Sequence, residues 1–163
     1  MENSRCIRVA VISDTHGVLR PEVLAYLEKS DYIIHAGDIC TKKVLDKLES
    51  IAPLFIVRGN NDVGAWADVL ETEIYFTLGK YRFYLIHDKK LVTAHPEAVD
   101  FIIFGHSHKY FHEQQGKTCW LNPGSCGRAR FHLPLTMATL ELSDNGYEIQ
   151  CIHIENNKIA GKP

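Results

Sequence analysis

The stretch Ile7-Arg8-Val9-Ala10-Val11-Ile12-Ser13-Asp14-Thr15-His16 carries the pattern that decides the fold. Its first part is an apolar, β-branched run, which is typical of a buried central strand. The run ends abruptly in side chains that can bind a metal ion. Behind it, Pro21 with Val23 and Leu27 has the start signal and the spacing of an amphipathic helix. The chain is therefore predicted to begin with a strand and a helix.

The same pattern recurs twice further along the chain. Tyr32-Ile33-Ile34 leads to Gly37-Asp38, and Leu54-Phe55-Ile56-Val57 leads to Gly59-Asn60-Asn61-Asp62. Between these runs, Thr41 is a candidate N-cap for an amphipathic helix. Strands and helices that alternate at this spacing favour right-handed crossovers and parallel strands.

After residue 70 the pattern changes to one of antiparallel strands. Glu73 to Leu78 and Tyr81 to Ile86 flank a Gly79-Lys80 turn, which predicts a hairpin. A short helix is expected at 96–99, and buried or alternating strands at 101–104, 136–142 and 147–154. We predict an α/β (α+β) fold, a four-layer β-sandwich of two mixed sheets flanked by helices, in one domain that spans residues 1–163.

Composition limits the class of protein. The chain has 163 residues, 45% of them apolar, and a formal net charge of -2, as expected of an ordinary globular protein. This charge disfavours nucleic acid and anionic membranes as partners. We find no signal peptide and no membrane-spanning run, and the five widely spaced cysteines form no C-x-x-C pair. A reducing cytoplasm is the expected compartment, and a homo-oligomer remains open.

Two short motifs offer metal ligands spaced two residues apart. Asp14 and His16 form one, and His106 and His108, which follow Gly105, form the other. At a strand end both side chains of such a pair can point to the same side and bind one ion. An isolated Asp-x-His is more often a solvated turn, so each motif needs partners from elsewhere in the chain.

Three further residues are candidates for that role. Asp38 has two carboxylate oxygens and could bridge two cations, although it could instead cap a helix. Asn60 offers a neutral amide oxygen, although Gly-Asn-Asn-Asp could also be a plain turn. His87 stands at the end of a predicted strand, where a lone histidine is usually structural. The joint occurrence of all these motifs in one chain favours a metal site.

Taken together, these blocks and Asn122-Pro123-Gly124-Ser125 resemble the calcineurin-like metallophosphoesterase superfamily, in particular its short single-domain phosphodiesterase branch. The resemblance implies a metal-dependent phosphodiesterase that acts on a small phosphate ester, and it leaves room for weak phosphomonoesterase activity. It also implies two ligand sets that share one residue: Asp14, His16, Asp38 and His108 for the first ion, and Asp38, Asn60, His87 and His106 for the second.

The implied cofactors are two divalent transition-metal ions. Such a pair, roughly 3.5–4 Å apart, shares a hydroxide that attacks phosphorus and neutralises the phosphoryl oxygens. Ligands of this kind accept Mn, Ni, Co, Zn or Fe, and we expect Mn to support activity.

The sequence departs from the family pattern at two positions. Many members have a histidine after the metal-binding asparagine, and this chain has Asn61, which cannot act as a general acid. Losing a positioned proton donor costs roughly 10²–10⁴ in rate for a poor leaving group. Asn61 and Asp62 are nevertheless the candidate catalytic residues, Asp62 as support for the loop, and Asn61 and Arg128 are candidates for binding substrate. Asp88 stands after His87, where the family commonly has glycine.

A second class of protein has the same fold. Some proteins that resemble this family act as non-catalytic scaffolds or protein-interaction modules with a degenerate metal site. The presence of all seven candidate ligands argues against that alternative here.

Overall fold

The computed structural model describes residues 5–155, which form two β-sheets with helices on one side. Thr41 is the N-cap of the second helix, Lys42–Ile51, as predicted. Its side-chain Oγ1 accepts a hydrogen bond from the Val44 N–H at 3.3 Å. In chain order the elements are β1 (Ile7–Ile12), α1 (Pro21–Glu28), β2 (Tyr32–His35), α2 (Lys42–Ile51), β3 (Leu54–Ile56), α3 (Ala65–Asp68), β4 (Glu73–Leu78), β5 (Tyr81–Ile86), β6 (Phe101–Ile103), β7 (Phe111–Gln115), β8 (Thr118–Asn122), β9 (Leu135–Ser143) and β10 (Gly146–Ile154).

The first sheet has the strand order β10-β9-β1-β2-β3. Strands β1, β2 and β3 run parallel, and β9 and β10 continue the sheet in antiparallel pairs. Val11 lies at its centre, beside Ile34 on one side and Ala138 on the other. The sheet is mixed, which confirms the prediction.

The second sheet has the order β4-β5-β6-β8-β7 and is also mixed. Strands β5, β6 and β8 run parallel, while β4 and β7 pair antiparallel at the edges. The β4–β5 hairpin was predicted from sequence. The β7–β8 hairpin was not, because most of β7 is polar and exposed and so lacks the alternation that marks a half-buried strand.

The main core lies between the two sheets. Val9 and Val11 of β1 point into it, while Ala10 and Ile12 point to the opposite face, beneath α1 and α2. This is the two-residue period of a strand that is buried on both faces. Stacked rings extend across the core, with centroid distances of 3.9 Å for Phe55–Phe76, 5.1 Å for Phe76–Phe83 and 4.6 Å for Phe83–Phe101.

The outer face of the second sheet is covered by the segment that joins β5 to β6. Tyr84 and Trp120 are buried there, under two short 3-10 turns, Lys89–Leu91 and Pro96–Ala98. The short helix predicted at 96–99 forms as a single 3-10 turn, one residue shorter than predicted. Val99 is already extended, with φ of −131°, because the chain must enter β6 two residues later.

This topology brings the functional loops together. The carboxyl ends of the parallel strands in both sheets lead into the segments that carry the candidate ligands, so loops from distant parts of the sequence meet at one edge of the sandwich. In the described part of the chain, no helix has the length and apolar character needed to span a bilayer.

Candidate metal centre

The structure brings all seven predicted metal ligands to one place. Five of them have a positive φ, a conformation that costs a non-glycine residue roughly 1–2 kcal/mol. Strain concentrated in this way is typical of a functional site, where the surrounding fold enforces it. Backbone hydrogen bonds between loops hold the arrangement, with the Asp14 N–H donating to the Gly37 carbonyl at 3.0 Å and the His16 N–H to the Asp38 carbonyl at 3.0 Å. The five ligands with a positive φ are Asp14, His16, Asp38, His106 and His108.

One group of ligand atoms surrounds Asp14. Its Oδ1 lies 3.3 Å from His108 Nε2 and 3.7 Å from His16 Nε2. The two imidazole nitrogens are themselves 3.2 Å apart. Asp14, His16 and His108 are all buried, so two imidazoles and a carboxylate converge on one small volume from which water is largely excluded.

A second group surrounds His87. Its Nε2 lies 3.0 Å from Asn60 Oδ1 and 3.2 Å from His106 Nδ1. Asn60 and His106 are exposed, so this group opens to solvent. Asp38 connects the two groups, because its Oδ2 lies 3.4 Å from His87 Nε2 and 3.7 Å from His16 Nε2.

The hydrogen bonding of Asp14 tests whether a cation fits here. Its Oδ2 accepts from Ser13 Oγ at 2.6 Å and from the His106 N–H at 3.0 Å, whereas its Oδ1 is buried and has no hydrogen-bond donor among residues 5–155. A buried carboxylate oxygen without a donor is costly, and a cation bound among these ring nitrogens would satisfy it. The donor set, oxygen and imidazole nitrogen, suits a divalent transition metal.

The electrostatics of the two carboxylates agree with this fit. Burial alone would raise the pKa of Asp14, but contacts with His108 and His16 outweigh burial and hold the pKa well below its usual range. The pKa of Asp38 is lowered in the same way, against burial, chiefly by its contact with His87. Burial disfavours the charged form of His87, yet Asp38 and Asp14 raise its pKa overall. The site therefore keeps both carboxylates ionised and attracts positive charge.

Contacts behind the ligands fix their orientation. His87 Nδ1 donates to the Ala36 carbonyl at 2.7 Å, which leaves Nε2 free to face the site. His16 Nδ1 lies 3.3 Å from Cys40 Sγ, so a thiol stands where such histidines usually have an oxygen. Cys40 is free, and burial raises the pKa of its thiol to about 11.

Asp62, a predicted catalytic residue, is buried beneath the site. Its Oδ2 accepts from the backbone N–H groups of Asp38 at 2.9 Å and Gly59 at 2.7 Å, and its Oδ1 accepts from the Cys40 N–H at 2.8 Å. One carboxylate thus ties together the loops after β2 and β3. Gly59 packs so closely that an added Cβ would lie 2.2 Å from Asp38 Oδ1.

The other residues singled out from sequence lie at the rim. Asn61 is exposed and turns its amide toward Asp38. Arg128 is also exposed, and its Nε donates to the His16 carbonyl at 3.4 Å, beside the Asp14 group. Asp88 has an ordinary φ of −107°, so no glycine is required after His87.

His35 belongs to none of the sequence motifs, yet it connects two ligand loops. Its Nδ1 accepts from the Gly37 N–H at 3.0 Å, which leaves Nε2–H to donate to Thr15 Oγ1 at 2.9 Å. Burial lowers the pKa of His35 to about 3, so the ring is neutral. The only feature of the sequence that could have indicated this connecting role is the position of His35 at the end of a buried strand, just before Gly37-Asp38.

Two mixed sheets packed face to face, with carboxylates, imidazoles and an amide grouped where parallel strands end, are the arrangement of a metallophosphoesterase. The chain belongs to the calcineurin-like phosphoesterase superfamily, since the family model for that domain matches residues 7–145. This confirms the resemblance drawn from the sequence motifs. Membership of the family implies divalent metal ions as cofactors.

Individual relatives agree with this family. A probable metallophosphoesterase of Mycoplasma genitalium is 35% identical over 135 residues, which cover 73% of this chain and 77% of that protein. A phosphodiesterase of Methanocaldococcus jannaschii is 24% identical over 141 residues, covering 74% and 84%. Among solved structures, the zinc complex of Vps29 from Entamoeba histolytica has a TM-score of 0.71 at 23% identity, covering 93% of this chain and 100% of that one.

Proposed function

We propose that this protein is a phosphodiesterase that works with two divalent metal ions. The observation that carries the proposal is the position of Asp38, whose Oδ2 lies 3.7 Å from His16 Nε2 and 3.4 Å from His87 Nε2, one nitrogen from each ligand group. A carboxylate in this position can serve two cations at once. The phosphodiesterase of Methanocaldococcus jannaschii supports the choice of diesters over other phosphate esters.

Each ligand group would hold one ion. Asp14, His16 and His108 would hold the first, Asn60, His87 and His106 the second, and Asp38 would contribute to both. When bound, the ions lower the pKa of coordinated water and neutralise charge on the phosphoryl group. Mn is our proposed activating metal, and Zn is an alternative, since a Vps29 of the same fold from Entamoeba histolytica forms a zinc complex.

The remaining residues would position the reactants. Asp62 keeps Asp38 and Gly59 in place through its backbone hydrogen bonds. Arg128 stands beside His16, where its guanidinium could contact a phosphoryl oxygen. Asn61 can donate a hydrogen bond but cannot supply a proton, so the site suits esters whose leaving group departs without protonation.

The direct test is hydrolysis of bis-p-nitrophenyl phosphate by metal-stripped protein to which Mn²⁺ is returned. We expect turnover with Mn²⁺, none after chelation, and a loss of at least about 100-fold in Asp38→Asn, because the shared ligand is weakened. Asp31→Asn, on the exposed turn before β2, is the matched control. Full activity of Asp38→Asn would contradict the proposal.

A non-catalytic scaffold is the second candidate, because the solved structures of the same fold include Vps29 proteins. Experiment can distinguish the phosphodiesterase from the scaffold. A scaffold would leave bis-p-nitrophenyl phosphate intact with Mn²⁺, Zn²⁺, Co²⁺ or Ni²⁺, whether or not it binds the metal, because the Vps29 structure from Entamoeba histolytica is itself a zinc complex.

A further inference from the structure

A cavity of 570 Å³ adjoins the candidate metal centre. Asn60, His87 and His106 form the wall nearest the ligands, and Glu73 and Thr93 belong to the lining as well. A volume of this size suits a small organic group. The cavity is thus placed to receive one of the groups esterified to a phosphate held at the centre.

Glu73 is fixed in this wall by the strand pairing. It lies opposite Ile86, so its side chain is on the face of the sheet that also carries Tyr84, and both Glu73 and the candidate ligand His87 line the cavity. Its Oε2 accepts hydrogen bonds from Thr93 Oγ1 at 2.8 Å and from the Tyr84 hydroxyl. Its Oε1 has no hydrogen-bond partner within residues 5–155, so one acceptor of an otherwise immobilised carboxylate is free for a ligand.

The hydroxyl groups that hold Glu73 act as donors. Burial and the Glu73 carboxylate both raise the pKa of Tyr84, so its phenol stays protonated. The Thr93 N–H donates to the Tyr84 oxygen at 3.3 Å, which completes a small fixed network. A carboxylate held in this way keeps its orientation when a ligand arrives, so little ordering is needed on binding.

The charges of the lining argue against a second phosphate in this cavity. Glu73 and Asp88 contribute carboxylates, and Arg58 is the guanidinium of the described wall. Arg58 is already engaged, with its NH2 group 3.3 Å from Asp68 Oδ1 and its Nε donating to the Asp62 carbonyl at 3.0 Å. An anionic group would therefore meet two carboxylates and one neutralised cation, whereas a neutral group with hydroxyl donors would not be repelled.

We propose that this cavity binds a neutral polyol group of the substrate, such as a glycerol or pentose with vicinal hydroxyls, and that Glu73 accepts hydrogen bonds from those hydroxyls. Hydrogen bonds from hydroxyls to a carboxylate are charge-assisted and strong. Leu91, which is 64% exposed, and Ile86 supply apolar contact for the carbon atoms. This assignment rests on the proposed function, since it takes the phosphoryl group to lie at the metal centre.

The test compares two esters that differ only in their hydroxyls, p-nitrophenyl 2,3-dihydroxypropyl phosphate and p-nitrophenyl propyl phosphate, with Mn²⁺ added. We expect kcat/KM to be about 10-fold or more higher for the diol ester in the unchanged protein. Glu73→Gln should remove most of that preference and leave the propyl ester nearly unaffected. Glu97→Gln, a distant exposed carboxylate, should behave like the unchanged protein.

Binding provides a readout that does not depend on turnover. Calorimetry with Mn²⁺-loaded protein should give a tighter Kd for glycerol 3-phosphate than for propyl phosphate, and Glu73→Gln should equalise the two. Hydrolysis of both esters at equal rates, with equal affinities for the two phosphates, would overturn the assignment of the cavity and leave the phosphodiesterase intact. A binding preference for glycerol 3-phosphate without any hydrolysis would support the cavity and overturn the phosphodiesterase.

Discussion

Asn61 holds both carboxylate oxygens of Asp38. Its backbone N–H donates to Oδ1 and its side-chain amide donates to Oδ2, each at 2.9 Å. In the family that the sequence resembles, a histidine commonly stands at this position. Here the residue is a neutral donor to the carboxylate that joins the two ligand groups, so we assign it a positioning function rather than proton transfer.

Removal of this contact should weaken metal binding. Asn61→Ala leaves Asp38 Oδ2 without its amide donor and gives the carboxylate more rotational freedom, so we expect the Kd for Mn²⁺ to rise about 10–100-fold. Calorimetric titration of metal-stripped protein measures this Kd. Asn145→Ala, in the turn between β9 and β10, is the control, and an unchanged Kd in Asn61→Ala would refute the positioning function.

The lack of a proton donor at position 61 should limit which leaving groups the protein can release. We expect the unchanged protein to hydrolyse p-nitrophenyl esters and to act slowly on dialkyl phosphates, because an alkoxide needs a proton in order to leave. Asn61→His restores a general acid and should accelerate alkyl ester hydrolysis by roughly 10²-fold, with little change for aryl esters. Equal acceleration of both ester types would show that protonation is not the cause.

Asp62 should be a major source of stability. Asp62→Ala removes the acceptor of three backbone N–H groups, those of Asp38 and Gly59, which are buried, and that of Cys40, which is partly buried. We expect the free energy of unfolding to fall by roughly 3–5 kcal/mol, since each unsatisfied donor costs about 1–3 kcal/mol. Urea denaturation with EDTA present measures the change. Asp46→Ala, in an exposed ion pair with Lys42, should leave the midpoint nearly unchanged.

His35 should make the metal-free protein sensitive to acid. Its pKa is about 3 in the folded protein and near 6.5 when unfolded, so between these values the unfolded chain binds the extra proton and stability falls as pH falls. The contribution approaches about 1.4 kcal/mol per pH unit. Urea denaturation from pH 6.5 to 4.5 should show a shallower pH slope in His35→Asn. Parallel pH curves for the two proteins would disprove this assignment.

The sequence predicted the elements whose signals are local. Each apolar run that ends in Asp14, Asp38, Asn60 or His106 predicts a strand and the loop that follows it, from a segment of only about ten residues. The structure places these loops together. The β7–β8 hairpin was not predicted because β7 is an exposed edge strand whose mostly polar residues lack the apolar alternation of a half-buried strand.

Contacts between distant segments could not be predicted in the same way. His35 bonds to Thr15, Cys40 lies against His16, and Glu73 joins Tyr84 and Thr93. None of these pairs is marked by spacing, because strand order and register bring them together. The candidate ligands and the supporting Asp62 were therefore predictable from local motifs, while His35, Cys40 and the residues that shape the neighbouring cavity were not.

Metal stoichiometry tests the central claim most directly. Metal-stripped protein is dialysed to equilibrium against Mn²⁺, and bound metal and protein are quantified by elemental and amino-acid analysis. We predict two ions per chain for the unchanged protein and one for Asn60→Ala, which loses the exposed amide ligand of the His87 group but keeps the buried Asp14 group. Saturation at one ion or none in the unchanged protein, or two ions in Asn60→Ala, would contradict the account.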